Sequence, residues 1–69
     1  MVLKISLEAA RVNAGFSQKD VAKILKVSNN TIGNWEKGKS VPSAEKIDAL
    51  CNLYGIPYDN INFLPTDSL

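Results

Sequence analysis

The most distinctive chemistry of this chain lies in one short stretch that holds Asn29, Asn30, Gly33, Asn34 and Lys37. On a helix, at ~100° per residue, these five share one arc of ~0 to 140°, and Thr31, Ile32, Trp35 and Glu36 fall on the other. A carboxamide offers a donor and an acceptor in one plane, which suits the N6 and N7 edge of adenine in the major groove, and a glycine lets the helix approach bases or backbone closely. A merely solvated helix face is ordinarily filled with Lys and Glu, which are good helix formers. Asparagine and glycine weaken the helix they sit in, Gly33 by ~1 kcal/mol relative to alanine. A face that accepts this cost is expected to be a contact surface. For any single asparagine the plainer reading, an ordinary polar surface residue, stays open.

The lysines are placed to support such a contact. Residues 17–40 hold Lys19, Lys23, Lys26, Lys37 and Lys39 against Asp20 and Glu36, a net of +3. From position 41 onward Lys46 stands against Glu45, Asp48, Asp59 and Asp67, a net of −3. The whole-chain charge of +1 is low for a nucleic-acid binder, but its distribution makes a dipole with one basic segment. For Lys23 a solvated face is the better reading, and for Lys19 both readings stand.

The elements that position these groups follow from local signals. Ser6 can cap a first helix through Ala14, with Gly15 as its left-handed stop, and Leu7, Ala10 and Ala14 on one face. Ser17 caps a second helix in which Asp20 occupies the acid position of a capping box and Val21, Ala22 and Leu25 form the apolar stripe. After a short break at Lys26 and Val27, Ser28 caps a third helix that ends at Gly38. Residues 39–42 form a loop, and Ser43 opens a fourth helix carrying Ile47, Leu50, Cys51 and Tyr54 at i, i+3, i+4, i+7 spacing, closed by Gly55. Pro57 is expected to start a last short helix through about Leu64, packed by Ile56, Ile61 and Leu64. No segment alternates apolar and polar residues long enough to predict a strand. The expected fold class is therefore all-α, a compact bundle of about five short helices over residues 1–64, with residues 65–69 as a frayed tail.

Size and composition bound what the chain can be. Its 69 residues, 45% hydrophobic and 22% charged, suit one small globular domain. Cys51 has no second cysteine to pair with and there is no histidine, so a Cys/His zinc site is excluded, no metal or other cofactor is expected, and a reducing, cytoplasmic compartment is. No apolar run approaches the ~20 residues needed to span a bilayer. An enzyme is the least favoured class: there is no histidine to serve as general base, the acids are scattered, and no phosphate loop or nucleophile motif is present. Trp35 lies on the apolar arc of its helix and is expected in the core rather than against a base. Cys51 shares a stripe with Ile47, Leu50 and Tyr54 and is expected to be an inert thiol.

In combination these features resemble the helix-turn-helix of the phage repressor and Cro type, also called the xenobiotic-response-element family. The motif spans residues 18–37 and the resemblance extends over residues 6–64. Gln18 opens the first motif helix, and Ala22 is the small residue over which the second packs. Val21, Leu25, Val27, Ile32 and Trp35 fill the apolar positions, and Trp35-Glu36-Lys37-Gly38-Lys39 followed by Pro42 and Ser43 is similar to the family's exit from the recognition helix. The resemblance implies a lambda-repressor-like domain in which Asn29, Asn30 and Asn34 face base edges. It also implies that Gln18, Ser28, Lys37, Lys39 and Ser43 touch the DNA backbone, and that Arg11 pairs with Glu36 as a structural ion pair. Two positions depart from the family pattern. Lys26 stands where a turn glycine is common, at a cost of roughly 1 kcal/mol or more if the residue is left-handed. Gly33 sits in mid-recognition helix.

The function this implies is a sequence-specific regulator of transcription, most often a repressor, bound as a homodimer to a roughly palindromic operator with half-sites ~34 Å apart. In the family the C-terminal region commonly joins the subunits, which nominates Ile56, Ile61, Phe63 and Leu64, with Phe63 as exposed apolar surface. The alternative is a protein-interaction module on the same scaffold, an antitoxin or a modulator of another repressor, supported by the low net charge and by Phe63.

Overall fold

A computed structural model describes residues 4–63. Among them are four α-helices: α1 (Leu7–Asn13), α2 (Gln18–Leu25), α3 (Asn29–Lys37) and α4 (Ala44–Tyr54). Each begins at a serine whose hydroxyl accepts the backbone N–H three residues on. Ser6 takes Ala9 and Ser17 takes Asp20, both at 3.0 Å, while Ser28 takes Thr31 at 3.0 Å and Ser43 takes Lys46 at 3.3 Å. Such caps typically contribute ~1 kcal/mol each. At α2 the capping box is complete, since the Ser17 N–H donates back to Asp20 Oδ2 at 3.0 Å. That backbone hydrogen bond, then the one from the Ser17 hydroxyl, holds the Asp20 carboxyl below the usual carboxylate range.

Helix α2 ends on Lys26 in the left-handed region (φ 60°, ψ 44°), where its backbone lets the Val27 N–H reach back to the Ala22 carbonyl at 3.0 Å. Helix α3 ends the same way on Gly38 (φ 77°), with the Lys39 N–H donating to the Asn34 carbonyl at 2.9 Å. The closures match, but only Gly38 makes the bend without crowding a Cβ against the backbone.

The core gathers one face of every helix: Leu7 and Ala10 from α1, Val21, Ala22 and Leu25 from α2, Ile32 and Trp35 from α3, Leu50 and Tyr54 from α4. Ile61 and Phe63 complete it. Trp35 is 6% exposed and so belongs to the core.

The C-terminal part departs from the all-α, five-helix expectation. Pro57 does start a helical turn, but it is a single 3-10 turn, Tyr58–Asn60, closed by the Asn60 N–H on the Pro57 carbonyl at 2.9 Å. The chain then becomes extended and forms a strand, β2 (Ile61–Asn62), that pairs in parallel with β1 (Ile5–Ser6), in the register Ile5 to Ile61 and Ser6 to Asn62. The reason is visible in the burial. Ile61 and Phe63, two residues apart, both point into the core, which is the period of a strand and not of a helix. β1 passes directly into α1, because Ser6 is both its last residue and the helix cap.

The same packing corrects the proposed subunit contact. Ile61 is 2% and Phe63 5% exposed, so both are spent inside the protomer and Phe63 is not exposed apolar surface. Ile56 is only half-buried, and Leu64 and residues 65–69 lie outside the described residues.

Candidate nucleic-acid interface

Helix α3 presents two chemically different sides. Ile32 and Trp35 anchor it to the core, while Asn29, Asn30 and Lys37 are exposed and Gly33 and Asn34 half-buried. The outward arc therefore carries three carboxamides and an ammonium around a bare backbone at Gly33. Ser28, just before the helix, is exposed, and its hydroxyl lies 2.8 Å from that of Thr31 while accepting the Thr31 N–H. Lys39 and the α4 cap Ser43 are exposed on the segment that leaves α3. Ser28, Lys37, Lys39 and Ser43 thus lie at the ends of α3 and at the start of α4, where ammonium groups and helix N-termini can hold phosphate without reading sequence.

Behind this face lies a polar cluster that ties α3 to the rest of the domain. Arg11 Nε donates to Glu36 Oε2 at 2.7 Å, and a second guanidinium nitrogen reaches Glu36 Oε1 at 3.4 Å. A third donates to the Phe16 carbonyl at 2.8 Å. The Arg11 side chain is 11% and that of Glu36 3% exposed, so this two-pronged pair links α1 to α3 largely out of water. The hydrogen bond to Glu36 raises the Arg11 pKa against the opposing effect of burial. Gln18 joins the cluster, since its Nε2 donates to Glu36 Oε1 at 2.9 Å. Of the residues assigned to phosphate, Gln18 alone is half-buried with its amide drawn toward the protein.

Tyr54 completes the surroundings. Its hydroxyl is buried without a hydrogen-bond partner, and burial, then the charge of Glu36, pushes the phenol up to about 12. The Cys51 thiol, half-buried on the same helix, is likewise pushed up by burial, with a smaller contribution from Asp48. This is the environment of an unreactive thiol.

Sequence reasoning did not find two supporting contacts. Lys46, on α4, donates its ammonium to the Leu25 carbonyl at 3.1 Å, satisfying an orphan acceptor at the C-terminal end of α2 beside the turn. The Gln18 to Glu36 hydrogen bond is the other. In both cases the partners come from different helices, and the only local signal is the preference of a helix C-terminus for a cation.

Residues 7–61 match the protein family described as Helix-turn-helix, which covers most of the chain. The chain is also 36% identical over 59 residues to the HTH-type transcriptional regulator ImmR of Bacillus subtilis (strain 168), an alignment that takes in 86% of this chain and 46% of that protein. It thus spans about half the length of the curated relative it matches. No solved structure matches it. Capped helices at 18–25 and 29–37, the tight left-handed turn between them and the family match agree, and the chain belongs to the helix-turn-helix family.

Proposed function

We propose that this domain binds duplex DNA sequence-specifically and regulates transcription, as a repressor that acts as a homodimer on a palindromic operator. The observation that carries this reading is the outward face of α3, on which Asn29, Asn30 and Asn34 stand around Gly33 while Ile32 and Trp35 lock the opposite side. Planar amides on a braced helix can discriminate base edges, whereas Ser28, Lys37, Lys39 and Ser43 would hold the phosphates on either side. The name of the Bacillus relative points the same way, and membership of this family fits a chain that is not an enzyme. A single helix reads few base pairs, which favours two-fold pairing. For that contact Ile56 remains available, at the edge of an apolar groove along α4 that also includes Ile47, Cys51 and the exposed Tyr58.

The experiment is selection of bound sites from random duplex DNA, repeated with Asn30→Ala and Lys39→Ala. The asparagine change is expected to relax preference at particular base pairs. The lysine change should weaken all sites alike and flatten the salt dependence. Equal, sequence-blind losses from both would show that the readers are misassigned.

The second reading, an antitoxin or modulator that binds a partner protein, loses the support of Phe63. What now favours it is Ile24, half exposed on α2 beside a shallow groove lined by Ala49 and Leu53 of α4. Co-purification with a partner, without a salt-dependent shift of any DNA, would select it.

A further inference from the structure

Gln18 and Gly33 form an arrangement that leaves Gln18 an atom unsuited to phosphate anchoring. A Cβ placed on Gly33 would meet only the end of the Gln18 side chain, with Oε1 at 3.8 Å and Nε2 at 3.9 Å. The carboxamide of Gln18 therefore lies over the bare backbone in the middle of the outward arc of α3. Its orientation is chemically determined. An ionised carboxylate can only accept hydrogen bonds, so the amide nitrogen must be the atom 2.9 Å from Glu36 Oε1. Glu36 in turn is held by two nitrogens of Arg11. The carbonyl oxygen, and one remaining N–H, are left uncommitted.

Phosphate oxygens accept hydrogen bonds, so the remaining N–H can serve a phosphate, but the carbonyl oxygen cannot. It can accept from the exocyclic amino groups that adenine (N6) and cytosine (N4) display in the major groove. We propose that Gln18 is a specificity-determining residue whose clamped carbonyl oxygen, reaching across Gly33, accepts a hydrogen bond from the amino group of an adenine or cytosine. Gly33 is the opening that admits it, which gives the helix-weakening glycine a purpose. This inference rests on the DNA-reading function proposed above.

The same site selection separates the two. With Gln18→Ala, preference at one base pair per half-site should fall by about tenfold, the range of a lost base contact. With Gly33→Leu, whose side chain fills the space over the backbone, preference at that same base pair should change. Thermal melting of both variants checks that the fold is retained; Gln18 opens a helix and Gly33 is not in the core, so both are expected to fold. A uniform, sequence-blind loss of affinity for Gln18→Ala would make it a phosphate contact alone and overturn the inference. So would unchanged selection by either variant, even where Asn30→Ala still relaxes a base. A wild-type protein that selects no sequence overturns both readings.

Discussion

The helix-turn-helix, residues 17–38, and the seam that pairs β1 with β2 are built on opposite principles. In the first, every boundary is set by a residue within four positions of it: Ser17 and Asp20 start α2, Ser28 starts α3, and left-handed Lys26 and Gly38 end them. In the second, Ile5 and Ile61 come from opposite ends of the described chain, and neither has a local reason to be a strand. The first region turns polar groups outward, and the second buries Ile61 and Phe63. A domain this small thus uses local signals to shape its candidate interface and a long-range contact to close its core.

This contrast can be broken at its firmest point. Glu36→Ala leaves the Arg11 guanidinium largely buried without its carboxylate, and the expected loss is about 3–5 kcal/mol, measured by urea denaturation. A loss under ~1 kcal/mol would show that Arg11 finds water and that α3 is not braced this way. Ile61→Ala tests the seam: removal of a side chain 2% exposed is expected to cost about 2–4 kcal/mol. If it costs little, the strand pairing is ornamental and the two regions are less alike in weight than their burial implies.

Tyr54 sharpens the comparison from behind the α3 brace. Tyr54→Phe removes a buried hydroxyl without a partner, so it should raise stability by about 1–2 kcal/mol. The pH dependence carries a definite sign. Since the folded phenol is pushed up to about 12 from an ordinary value near ~10, its ionisation leaves wild-type stability unchanged below pH ~10 and lowers it as pH climbs toward ~12. The advantage of Tyr54→Phe over the wild type should therefore widen in that alkaline window, and parallel alkaline melts for the two proteins would refute the assignment. The smallest effect is expected for Lys26→Gly, which relieves a left-handed lysine and should stabilise by ~1 kcal/mol without altering DNA selection.

Most of the helix-turn-helix was legible in advance because capping and apolar periodicity are local. The four serine caps, the core position of Trp35 and the outward Asn29 and Asn30 follow from neighbours within a turn or two, whereas the left-handed turn on Lys26 does not, since a residue with a Cβ stands where glycine would signal it. The segment after Tyr54 was not, because Pro57 signals a helical start equally well for a single turn and for a full helix. Ile61 and Phe63 reveal strand periodicity only if Leu64 is left out of the stripe. Reading Ile56, Ile61 and Leu64 as a helical face made an exposed Phe63 look natural, and tertiary pairing with Ile5 overrode it. Within the candidate site, the exposure of Asn29, Asn30 and Lys37 on α3 was legible and the clamp on Gln18 was not, since it needs Glu36 to be delivered by a different helix.

The parallel seam also bears on the order of folding events. Its two halves can meet only after the intervening helices have drawn the ends together, so loop-closure entropy places it late on the route to the native state. Disruption at Ile61 is then expected to speed unfolding and to leave the refolding rate nearly unchanged, as a stopped-flow denaturant series would reveal. Opening of the domain is then expected to begin at this seam, where release of either strand frees the other.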